Sequence, residues 1–181
     1  LAVVFNNAGA NKLDVYLERE VSYDATVDAA TGSTTATATV TLTNGAPSSG
    51  LPGGVLGNYT GDAPGTNRIL VSLYSALPVT SASVRTPDGN VEDFQVEVGT
   101  EAGWVTGSSF LVVPPGESVT LVYELAGALP LDGGYSLAVR PQPMVIDELI
   151  TGVGAFLEAW QARAMDVINI KISRGGGLTK A

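Results

Sequence analysis

Thr34–Asn44 reads TTATATVTLTN, and the fold turns on how those residues are read. Threonine alternates with alanine, valine and leucine, and a period of two marks a half-buried strand. The stretch before it, VYLEREVSYDATVD (Val15 to Asp28), has the same alternation, and AATGS with Gly32 between them supplies a small-residue turn. The two segments are expected to form a hairpin. Working outward, NRILVSLYSAL, SASVRTPDGN and DFQVEVG repeat the pattern, each bounded by Pro, Gly or Asn. SSFLVVPPGESVTLVYELAG gives two more strands. Their turn must fall at Pro114 and Pro115, which have no N–H to donate to a ladder, and Val119, Leu121, Tyr123 and Leu125 then share one face. GGYSLAVRPQP is expected to add a last strand. Short strands with regularly spaced turn signals predict a mainly β fold, an immunoglobulin-like antiparallel β-sandwich over residues 1–142, without the cysteine pair of antibody domains.

Composition narrows the chemistry. The 181 residues include no cysteine and no histidine, which removes thiolate nucleophiles, disulfides, the usual zinc ligands and any Ser-His-Asp arrangement. Eighteen acidic residues against nine basic ones leave a net charge of -9, so nucleic acid and anionic membrane are repelled. No apolar run reaches the roughly 18 to 20 residues that a spanning helix needs. The chain opens at Leu1 inside LAVVF rather than at a methionine, and an N-terminal anchor or signal is expected in the parent protein.

LAVVFNNAGANKLDVYLEREVSYDATVD, VTLTNGAPSSGLP and GTNRILVSLYS carry a resemblance. Residues 1–145 resemble the C-terminal part of the actinobacterial domain-of-unknown-function family numbered 4012, most specifically in NNAGANK and LTNGAPSSGLP. The resemblance implies a membrane-anchored protein whose bulk lies outside the cytoplasm. It carries no catalytic residue. The expected function is a non-catalytic extracytoplasmic structural or binding module of a cell-envelope protein, with a cell-wall glycan or another envelope protein as partner and no cofactor.

After Pro143 the periodicity changes. PMVID and DVINIKI read as short strands, and ELITGVGAFLEAWQARA between them places Leu149, Ile150, Val153, Phe156, Leu157, Trp160 and Ala164 at helical spacing. A β-α-β appendage over 143–181 is expected, with its two strands parallel. MVIDELITGVGAFLEAWQARAMDVINIKISRGGGLTKA is similar to a barrel fragment of the enolase superfamily, in its muconate-lactonizing and hydroxyproline-dehydratase branch. That resemblance implies Asp147 as a magnesium ligand, Glu148 as the acid beside it and Lys171 as the acid or base of a dehydratase, cycloisomerase or racemase. Magnesium prefers octahedral oxygen coordination, and such a site takes carboxylates from three successive strands. Only one of those strands is present here, and Gly175 departs from the family pattern. The alternative is therefore an inactive, cytoplasmic enzyme remnant joined to the sandwich near 142–146.

Other motifs carry less. RGGGLTK has Thr179 before Lys180, the reverse of a phosphate loop, and GGVLGNYTG does not fit the dinucleotide fingerprint. DGNVED gathers Asp88, Asn90, Glu92 and Asp93, a possible calcium set, though a solvated turn is expected. Asn58 has the form of a glycosylation acceptor. Tyr59, Trp104 and the long loop from Gly45 to Asn67 offer a ligand surface for a carbohydrate- or protein-binding sandwich. The expectation set against it is that Trp104 plugs the core.

Overall fold

The computed structural model describes residues 1–57, 61–130 and 134–142, together with the backbone of 145–146 and 167–168. The chain divides into two units, Leu1–Arg140 and Pro141–Ala181.

The first unit is an antiparallel β-sandwich. β1 (Ala2–Asn7), β4 (Asn67–Ser75), β8 (Trp104–Val113) and β7 (Glu97–Glu101) form a four-stranded sheet in the order β1-β4-β8-β7. β2 (Leu17–Val27), β3 (Ser33–Asn44), β9 (Ser118–Ala128), β5 (Val79–Arg85) and β6 (Val91–Asp93) form a five-stranded sheet in the order β2-β3-β9-β5-β6. The expected hairpin is present, with Leu17 opposite Asn44 and Val27 opposite Thr34. Its turn is held by the Asp28 carboxylate, which accepts the N–H groups of Ala30 at 2.8 Å and Thr31 at 3.3 Å, while Gly32 takes a φ of 73°.

The alternation of β3 sorts its side chains as the period requires. Ala36, Ala38, Val40 and Leu42 are buried, and the intervening threonines face outward. There Thr41 bonds Thr120 at 3.1 Å, Thr43 bonds Ser118 at 2.8 Å, and Thr37 donates to Glu124 at 3.0 Å, tying β3 to β9. Ile69, Val71 and Leu73 of β4, with Leu111 and Val113 of β8, meet Val119, Leu121, Tyr123 and Leu125 of β9 in one core. A Cβ on Gly107 would lie 3.1 Å from Val79 Cγ2 and 3.3 Å from the Tyr123 ring. The glycine lets that ring lie against β8, and the Tyr123 hydroxyl donates to the Gly107 carbonyl at 3.3 Å.

Two expected strands are corrected. DFQVEVG is not one element: β6 belongs to the five-stranded sheet and β7 to the four-stranded sheet, with 94–96 passing between them. Phe94 and Val96 pack against the core on the way across. The Phe94 N–H donates to Ala82 O at 2.9 Å and Ser109 Oγ donates to Gln95 O at 3.0 Å, which holds the crossing in place. GGYSLAVRPQP is not a strand either. Its described residues make one isolated bridge, Ala2 with Arg140, and Tyr135, Leu137 and Val139 stay exposed. Pro141 and Pro143 remove two donors from that stretch, so a ladder has little to extend along.

In the second unit β10 (Val145–Ile146) and β11 (Val167–Ile168) pair in parallel, as a strand-helix-strand unit requires. The helix expected between them lies outside the described residues.

Candidate functional site

The two segments most specific to the first resemblance meet at one end of the sandwich. In NNAGANKLD the Asn7 amide donates to Asn11 Oδ1 at 2.9 Å and to Asp14 Oδ2 at 3.0 Å, and Asn7 Oδ1 accepts the Gly9 N–H at 2.9 Å. Burial raises the Asp14 pKa, and the Asn7 amide and the Arg19 charge only partly offset it. From the other segment, Asn44 donates to Gly65 O and Val113 O, each at 2.8 Å, and accepts from the Ala46 N–H at 3.0 Å. Leu13, Ala46 and Leu56 form a small second core below them. Each of these polar groups is spent on a neighbouring turn. This end is a structural latch, and within it the side-chain amide of Asn67 is fully buried with neither its nitrogen nor its oxygen hydrogen-bonded among the described residues.

The outer face of the four-stranded sheet is different. On β8 the inward positions are Gly107, Leu111 and Val113, so Trp104, Thr106, Ser108, Phe110 and Val112 point outward. Phe110 is 56% exposed and Trp104 39%. Register places Ala2, Tyr74, Thr106 and Gly99 in one row across the sheet, then Val4, Ser72, Ser108 and Glu97, then Asn6, Leu70 and Phe110. Large side chains therefore stand at both ends of the face: Trp104 and Tyr74 at one, Phe110 and Leu70 at the other. Between them is a low floor of small hydroxylic residues, where Ser108 donates to Ser72 at 2.8 Å. Gly99 leaves the floor open toward the edge, since a Cβ there would lie 3.2 Å from Thr106 Oγ1. The Tyr74 hydroxyl donates to Glu101 at 2.7 Å, which pins the ring and raises the pKa of the phenol. Glu97 and Glu101 make that rim anionic.

The residues singled out from sequence fall as follows. Asp147, Glu148 and Lys171 lie outside the described residues, as do Asn58, Tyr59 and the glycine run before Lys180. Asp88 sits in the β5–β6 turn, accepting from the Thr86 hydroxyl and the Asn90 amide, and those bonds hold its carboxyl below the usual range. Glu92 and Asp93 lie beyond it in β6, paired with Val84 and Ser83. Among the described residues no three carboxylates come together into a metal-holding set.

Trp104 does not plug the core; it opens β8 at the tip of the β7–β8 hairpin, where Ala102 and Gly103 take positive φ. It also lies away from the loop ending at Asn67. Asn67 pairs with Val113 and Ser75 with Val105, so the length of β4 separates them. The expected pairing of Trp104 with that loop is thus replaced by its pairing with Tyr74 and Phe110 on a sheet face. Phe110 was legible in WVTGSSFLVV as an aromatic in the polar phase of a strand whose other phase ends in Val113.

No protein-family model and no curated protein matches the chain. Among the described residues no helix is long and apolar enough to cross a membrane.

Proposed function

We propose that the chain is a non-catalytic binding module of a cell-envelope protein and that its working surface is the outer face of the four-stranded sheet. One observation carries the reading: Phe110 and Trp104, two large rings, stand exposed on the same side of one strand. A solvent-facing sheet normally spends such positions on polar residues, and the other sheet of this molecule does so with its threonines. The envelope assignment rests on the resemblance of residues 1–145 to a membrane-anchored family. The test is retention on isolated actinobacterial cell envelopes. The wild-type chain is expected to be retained, and the Trp104→Ala/Phe110→Ala double variant to lose about tenfold or more of its affinity while keeping its fold. A wild-type chain that stays in solution defeats the reading.

A second reading is favoured by the parallel pairing of β10 with β11, the arrangement found within an α/β barrel. On it, residues 143–181 are an inactive remnant of a magnesium-dependent lyase or racemase, and Asp147, Glu148 and Lys171 are inherited positions without partners. Calorimetric titration with magnesium is expected to show no saturable binding that Asp147→Ala removes. Binding of that kind would make the remnant a working site.

A further inference from the structure

We infer that the ligand of this face is an extended, neutral polysaccharide chain lying along β8; the inference rests on the binding reading above and names its chemistry. Trp104 and Phe110 are six residues apart on one strand, which at about 3.3 Å per residue sets the rings roughly 20 Å apart. No mono- or disaccharide touches both, whereas a chain of several linked sugars does. A pyranose ring has an apolar C–H face and a hydroxyl rim, and the surface has the matching division. Exposed rings at the two ends offer stacking platforms. On the floor between them Ser72 and Thr106 are buried, and the polar groups left toward a ligand are Ser108, which donates to Ser72, and the edge carboxylates of Glu97 and Glu101. The small residues of that floor leave room for the backbone of an unbranched chain.

Charge decides between neutral and acidic glycans. Glu97 and Glu101 stand along the open edge of the floor, the outward cation Arg68 is already bound to Asp62 at 2.9 Å, and the whole chain carries a net charge of -9. A polyanionic glycan is therefore repelled at the β7 edge and at long range, with Arg140, bridged to Ala2 at the opposite edge, as the cation that the net charge outweighs. The hydroxyls of a neutral sugar can instead donate to those carboxylates.

The experiment uses the full chain carrying Trp160→Phe, which leaves Trp104 as the single indole, and reads its fluorescence. Cellohexaose and chitohexaose are the neutral probes, their disaccharides the length controls, and a hyaluronan hexasaccharide the anionic control. At least one neutral hexasaccharide is expected to give a saturable shift and to bind about tenfold or more tighter than its disaccharide. Phe110→Ala is expected to lower hexasaccharide affinity about tenfold and so remove the length advantage, because one of the two stacking platforms is lost. Equal binding of the hyaluronan fragment overturns the neutral class. Absence of any saturable shift with the neutral probes overturns the glycan itself; if the double variant still loses envelope retention in that case, the binding face stands and its partner is a protein.

Discussion

Asn44 shows how much of this fold rests on single side chains. It is fully buried, and its two donated bonds and one accepted bond join the end of β3 to the Gly65 turn and to the last carbonyl of β8. Its backbone joins in, with the Asn44 N–H donating to Glu117 O and the Gly116 N–H donating to Asn44 O. Asn44→Ala removes the side-chain donor from the carbonyls of Gly65 and Val113, at about 1–3 kcal/mol each, so a loss of roughly 3–4 kcal/mol is expected in urea denaturation. A loss under about 1 kcal/mol would show that the latch is dispensable. Asp14 gives a prediction of opposite sign. Burial raises its pKa in the folded state, so the folded protein binds its proton more tightly than the unfolded chain does. Its contribution to stability is therefore largest at acid pH and is lost as pH rises through the raised value. Asp14→Asn keeps an acceptor for Asn7 and removes the buried charge. It is expected to melt at or above the wild-type temperature at pH 7, with that advantage shrinking toward pH 3. A variant that is less stable at pH 7 than at pH 3, relative to wild type, contradicts this account.

At the scale of elements, β8 and β9 are the spine of the sandwich, and Gly107 sets their approach. Gly107→Ala pushes a methyl against Val79 and the Tyr123 ring, and overpacking of this kind costs about 1–3 kcal/mol. Val79→Ala is expected to restore part of that loss. The double variant should then be more stable than the sum of the single effects allows, as chemical denaturation of the four proteins will show. Strict additivity would mean that the glycine matters for its backbone instead. The strands that the alternation located well, β3, β4 and β9, are those whose inner phase is apolar through the middle of the strand, with buried polar residues only toward the ends of β3 and β4, and whose neighbours lie on both sides. Where the alternation misled, around Val91–Glu101 and Tyr135–Val139, the apolar residues belong to segments that change sheets or run along an edge. Period two records only which residues face one way. It does not say that they face the same sheet, and Val91 and Val98 remain more than half exposed at those edges.

For the whole molecule, the face proposed to bind ligand was partly legible, because Trp104 stands out in the sequence by its size. Phe110 was legible only as an aromatic in the polar phase of the same strand, and Tyr74 was not, since it comes from β4, whose register against β8 is set only by the folded sheet. Register also separates Trp104 from the loop that ends at Asn67. The same topology bears on how the two units depend on each other. Within Leu1–Arg140 the core runs from Leu1 to Leu125, with Leu129 packed against it, and draws on both sheets. The latch around Asn44, the Arg19 cation 5.3 Å from the Phe5 ring and the Tyr23 phenol, whose pKa burial and a bond with Tyr135 push up to about 12, also lie within Leu1–Arg140. Hydrophobic burial is the main term opposing chain entropy, so the sandwich is expected to be complete without the C-terminal segment. A chain ending at Gln142 should give a single cooperative thermal transition, with a midpoint within a few degrees of the full chain and the same retention on cell envelopes. If the cooperative transition disappears on truncation, residues 143–181 contribute to the fold of the first unit, and the division of the molecule into a self-sufficient sandwich and a dependent appendage fails.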